Sequence, residues 1–138
     1  MEIPNLYKIN DTRQSKDFKD KTFSLFLKKD VQSEFNRSVL AGKIEEANHW
    51  AVEMVCSGMI DKIWDKLFTL FTKNIYTYNP LLAEKLLIRF EFYVNIKNLL
   101  TINAKKINEK EILLKMRNVQ SIRNHIIELI VIVVNSTK

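Results

Sequence analysis

Residues 44–71, IEEANHWAVEMVCSGMIDKIWDKLFTLF, decide the fold. From Ile44 to Ser57 the side chains of Ala47, Trp50, Ala51, Met54 and Val55 recur at helical spacing and form one apolar stripe. Gly58 ends that helix, glycine being the residue that most readily turns the chain at a helix C-terminus. From Ile60 to about Asn74, the residues Ile63, Trp64, Leu67, Phe68, Leu70 and Phe71 crowd a face too wide for a lone surface helix. This second helix is therefore expected at the centre of the molecule, where each buried aromatic contributes a few kcal/mol of transfer free energy.

The flanks extend the helical reading. Asp30 is read as the N-cap of a helix from Val31 to about Ala41, with Val31, Phe35, Ser38 and Val39 on one face and Gly42 at its end. Ser15–Lys29 is read as a further helix carrying Phe18, Phe23, Phe26 and Leu27. Residues 1–14 show no sustained period and are read as a flexible arm before a single domain over 15–138. Downstream, Asn79 caps and Pro80 opens a helix of about 80–101 bearing Leu82, Leu86 and Phe90. Asn108, with Glu111 three residues on, makes a capping-box-like start. The last stretch is either one helix to about Val134 or breaks near Asn118–Ser121. Ile126–Val134 is rich in β-branched residues, yet no other segment offers a partner strand with turn chemistry, so it too is read as helix. The expected fold is all-α, one domain of five or six helices packed as an irregular bundle.

Composition narrows the function. The chain has 138 residues, of which only two are Gly and two Pro. That scarcity of turn formers disfavours sandwiches and barrels. With only Gly42 and Gly58, neither a P-loop nor a dinucleotide fingerprint can be written. One cysteine excludes an internal disulfide framework and fits a reducing, intracellular compartment. The first twenty residues lack the apolar core of a secretory signal, and the run Ile126–Val134 is far shorter than the ~20 residues of a bilayer span.

The net charge of +6 is unevenly spread. Residues 8–29 hold seven Lys/Arg against three Asp, residues 95–123 hold seven against two Glu, and the segment 44–79 between them is slightly acidic. Such basic ends suit a polyanion. Abundant Lys, Ile and Asn also follow from AT-rich codons. Lysines outnumber arginines 17 to 5, which points to phosphate contact rather than base readout. The candidate nucleic-acid contacts are Lys16, Lys19, Lys21, Lys105, Lys106, Lys110, Arg117 and Arg123.

Little else carries chemistry. His49, Glu53 and Cys56 share a helix face at i, i+4 and i+7 and are the one arrangement able to suggest a metal or a Cys–His nucleophile. They lack a fourth ligand and read as a helix flank. Asp61 and Asp65 read as partners of neighbouring lysines. Tyr76, Tyr78, Phe90, Phe92 and Tyr93 compare with a stacking platform, although core packing explains Phe90 equally well. No catalytic residue, metal or cofactor is assigned. Trp64, Phe68, Phe71 and Tyr78 are expected to form a face for self-association or a protein partner.

The stretch from Ser38 to Ala83 resembles the C-terminal helical collar of clamp-loader-like AAA+ ATPases. The residues that carry the likeness are Ala47, Trp50, Ala51, Met54, Gly58, Ile63, Leu67 and Pro80. The ATPase domains of that family are absent, and Lys73-Asn74 replace its acidic residues before the turn. The resemblance implies a free-standing module for oligomerisation and contact with replication partners. The Trp-containing hairpin in a short Lys/Asn/Ile-rich chain is also similar to small proteins of large DNA viruses of eukaryotes, which implies work on viral DNA or within a virus particle. The expected function is a non-enzymatic interaction module accessory to DNA replication, repair or packaging, with phosphate-directed nucleic-acid contact. The alternative is a small basic protein that binds nucleic acid without sequence preference.

Overall fold

Two glycines set the corners of the first three helices. A computed structural model describes residues 11–74, 78–103 and 108–136. Helix α1 (Lys28–Leu40) and helix α2 (Ile44–Cys56) each end in a glycine of positive φ, Gly42 at 72° and Gly58 at 75°. At both corners the glycine N–H and the next N–H turn back onto carbonyls of the last helical turn, Lys43 N to Ser38 O and Met59 N to Met54 O, so the orphan acceptors are satisfied. The two corners differ in crowding. A Cβ at Gly42 would meet nothing within 4 Å, whereas one at Gly58 would stand 3.3 Å from the Leu114 Cα. Gly58→Ala should therefore lower stability by about 2 kcal/mol and Gly42→Ala by about 1 kcal/mol, the difference being read from urea melts of the two variants.

Helix α3 (Ile60–Lys73) buries its wide apolar face through Ile60, Ile63, Trp64, Leu67 and Leu70. The central place expected of it is taken by α2, which packs against α1, α3 and the last helix of the chain. Helix α4 (Leu81–Asn103) covers α3, and Trp64 packs its ring against Phe90 at 5.3 Å and Tyr93 at 5.8 Å. The expected partner face is corrected accordingly. Trp64 and Tyr78 are buried, and Phe68 and Phe71 pack half-buried against the same core. The surplus of apolar residues is instead exposed on α4, at Leu81, Leu87, Ile88 and Leu99.

Helix α5 (Glu109–Lys115) starts as its cap predicts, the Asn108 carboxamide oxygen accepting from Glu111 N at 2.9 Å. Asn79 likewise accepts from Leu81 N at 3.0 Å. A 3-10 turn, Met116–Asn118, separates α5 from α6 (Gln120–Val134), so the last stretch breaks. Ile122, Ile126, Leu129, Ile130 and Val133 of α6 are buried at helical spacing, which decides helix over strand. Among the described residues there are six α-helices and no strand, and no helix is long and apolar enough to cross a membrane.

The segment before α1 differs from its reading. Ser15–Phe18 is a 3-10 turn, and residues 21–27 form a tight reversal with a Lys21–Leu27 bridge instead of a helix. Local side chains compete here with helical bonding: Thr22 Oγ1 accepts from Phe26 N at 3.2 Å, and Ser24 binds away from its own segment. Helix α1 consequently begins at Lys28, and Asp30 falls within its first turn rather than capping it. Residues 1–10 of the expected arm lie outside the described residues. Residues 11–14 are held to the domain, Asp11 by Arg117 at 2.8 Å and Arg13 by the Phe23 carbonyl at 3.0 Å.

Candidate phosphate-binding cleft

The two basic ends of the chain meet. A cleft of about 480 Å³ is lined by Lys16 and Lys19 from the N-terminal segment, Lys28 at the start of α1, Lys62 in the first turn of α3 and Lys110 in the first turn of α5. Ser57, Gly58 and Met59 lie between these walls, where the α2–α3 corner passes beneath α5. The N-terminal wall is fixed to α5 because Ser15 N donates to the Glu111 carboxylate at 3.0 Å, with the Ser15 hydroxyl bonding to the same oxygen.

The cleft holds five ammonium groups against one lining carboxylate, that of Asp61. None of the five makes an ion pair among the described residues. Lys28 is partly buried at the start of α1. Burial pushes its ammonium below the ordinary lysine range, and the charges of Lys110 and Lys62 add to that effect against Asp20 and Asp61. An anion in the cleft would relieve this repulsion.

Of the residues expected to touch phosphate, Lys16, Lys19 and Lys110 line the cleft. Lys21 is exposed but outside it, and Lys105 and Lys106 lie outside the described residues. Arg117 is corrected: it is 3% exposed and spends its guanidinium on the Asp11 carboxylate, the Asp11 carbonyl and the Cys56 carbonyl. Arg123 in turn donates to the Arg117 carbonyl at 2.6 Å, so both arginines hold the fold together. Lys28 and Lys62 were not expected here. Lys62 sits in an acidic stretch of sequence, and only the fold brings it to the basic ends.

The other candidates dissolve into structure. Glu53 is buried and accepts from Ser24 N at 2.6 Å and Ser24 Oγ at 2.8 Å. Burial pushes the Cys56 thiol up, opposite to what an activated nucleophile needs. Among the described residues no group of three His, Cys, Asp or Glu side chains is placed to hold a metal. The stacking platform is mostly core: Tyr78 and Tyr93 are buried and Phe90 packs on Trp64, while Phe92 stays exposed and lies against the His125 ring at 4.5 Å. Tyr76 lies outside the described residues.

Beside the cleft stands the 21–27 reversal. Phe23 N donates to Ser57 Oγ at 2.7 Å, and Ser57 lines the cleft. Its tip is Leu25, 69% exposed and held at φ 71°, a left-handed conformation that costs leucine about 1 kcal/mol. Leu25→Gly should accordingly raise the melting temperature by roughly 3 °C; a drop on thermal denaturation would show instead that the leucine side chain supports the fold. No family model matches this chain, nor does any curated protein or solved structure.

Proposed function

We propose that the protein is a non-enzymatic helical binding module that holds the phosphates of a nucleic acid in the cleft formed by Lys16, Lys19, Lys28, Lys62 and Lys110. The observation that supports this is the convergence of five lysines from four separate segments on one concave surface with a single acid among them. Lysine ammonium groups are point charges that neutralise phosphate without reading base edges, so the binding is not sequence-specific. The likeness of residues 38–83 to a clamp-loader collar is the reason to place the contact in DNA replication, repair or packaging. The apolar residues exposed on α4 favour a second role in self-association or in holding a protein partner.

The test is fluorescence anisotropy of labelled DNA titrated with the protein at two salt concentrations. Five phosphate contacts should weaken binding between about 50 and 200 mM salt roughly 500-fold for a duplex and roughly 130-fold for a single strand. Reversing Lys28 and Lys110 to Glu should lower the slope of log affinity against log salt by about 2. Absence of binding at the lower salt, or a slope that the double reversal leaves unchanged, overturns the reading.

A further inference from the structure

We infer that the Leu25–Phe26 turn is a wedge that packs against unstacked bases of a nucleic acid whose phosphates occupy the neighbouring lysine cleft, so that the preferred ligand carries unpaired bases. The inference rests on the nucleic-acid reading of that cleft and goes beyond it by naming the form of the strand.

Three consecutive apolar residues are exposed at the turn, Leu25 by 69%, Phe26 by 46% and Leu27 by 49%. A loop that merely connected two elements would shed such side chains or fold them in. This one is built to hold them out. Thr22 N donates to the Phe26 carbonyl at 2.8 Å and Leu25 N to the Thr22 carbonyl at 2.9 Å. The buried carboxylate of Glu53 takes both the N–H and the hydroxyl of Ser24, and Leu25 stays in a left-handed conformation that suits glycine. Phe26 is backed by the edge of Trp50, ring centroids 5.6 Å apart, and remains half-exposed. The result is a rigid apolar projection whose ordering cost is met within the fold.

Its position next to Lys28 is the reason for naming a nucleic acid as the occupant. Lys28 of the cleft follows Leu27 directly, so the Cα atoms of Leu25 and Lys28 lie within about 11 Å, the reach of three residues. A strand whose phosphate meets Lys28 therefore has its neighbouring bases within reach of the projection. Leu and Phe are the side chains that serve as wedges between bases, and an aromatic ring offers a stacking surface to any base. In a duplex the bases are already stacked on one another and opening a step is costly; in a single strand they are available. That difference favours the unpaired form.

The experiment uses the full chain, a single-stranded oligonucleotide carrying 2-aminopurine at its centre, and the same oligonucleotide annealed to its complement. The unpaired form should bind at least tenfold more tightly, and binding should change the 2-aminopurine emission. Phe26→Ser and Leu25→Gly should each weaken single-strand binding roughly fivefold to tenfold and together abolish the emission change, with the salt slope unaltered. Leu25→Gly relieves strain rather than adding it, so its effect reports contact and not misfolding. If both variants bind and report like the parent while the salt slope persists, the wedge is wrong and the cleft stands. If the parent binds neither form at about 50 mM salt, the cleft reading fails and takes the wedge with it. If the variants lose binding to anionic vesicles but keep DNA binding, the turn serves a lipid surface and the inference is overturned.

Discussion

Trp64→Ala is expected to remove about 4 kcal/mol of unfolding free energy, a large fraction of what a domain of this size possesses. The indole is 2% exposed and touches the rings of Phe68, Phe90 and Tyr93, so truncation opens a cavity where α3 and α4 meet. The polar atom is a smaller matter, because Trp64 Nε1 has no hydrogen-bond partner among the described residues. Trp64→Phe should therefore cost far less, about 1–2 kcal/mol, since it keeps most of the ring and deletes an N–H that is desolvated without return. Guanidinium denaturation of the two variants checks the pair of values. Equal losses would show that the indole N–H matters as much as the volume.

Asp11→Ala is expected to cost about 3 kcal/mol, which corresponds to a fall of roughly 10 °C in melting temperature. It leaves the Arg117 guanidinium, 3% exposed, without its carboxylate. The hydrogen bond from Arg13 is the main reason that the Asp11 carboxyl is held at about 2, with Arg117 adding to it against the opposing effect of burial. Because the folded value lies below the ordinary one of 3.8, this carboxylate stabilises the fold fully above about pH 4. That contribution is lost as the pH falls from there toward 2. Thermal melts across that window should show an acid limb that Asp11→Asn flattens.

Most of the helix boundaries could be read directly from the sequence because they depend on neighbours. Gly42 and Gly58 each close a helix with bonds spanning five residues or fewer, and Asn79 and Asn108 cap with partners two and three residues away. The 21–27 turn could not be read that way. Its decisive partner, Glu53, is 29 residues from Ser24 and looks in sequence like one more polar position on α2. Arg117 misled for the same reason: a cation in a basic stretch reads as surface, and the aspartate that buries it is 106 residues distant. The aromatic surplus of α3 was visible, but the sequence did not say that α4 would cover it. Three cleft lysines were found from local charge density. Lys28 and Lys62 needed the fold, since Lys62 is surrounded in sequence by acids.

The N-terminal wall of the cleft is fastened by bonds to Glu111 and Arg117, at sequence separations of 96 and 106. This has a meaning for the chain as it leaves the ribosome. A nascent chain stalled before residue 110 already carries four of the five cleft lysines, yet lacks the Glu111 and Arg117 side chains that fasten the segment bearing Lys16 and Lys19 to the rest of the fold. Such long-range closures form late, after the local helices. The proposed site is thus completed only once residues 111–117 have been made, so that a product truncated before them is expected to remain basic without the assembled cleft.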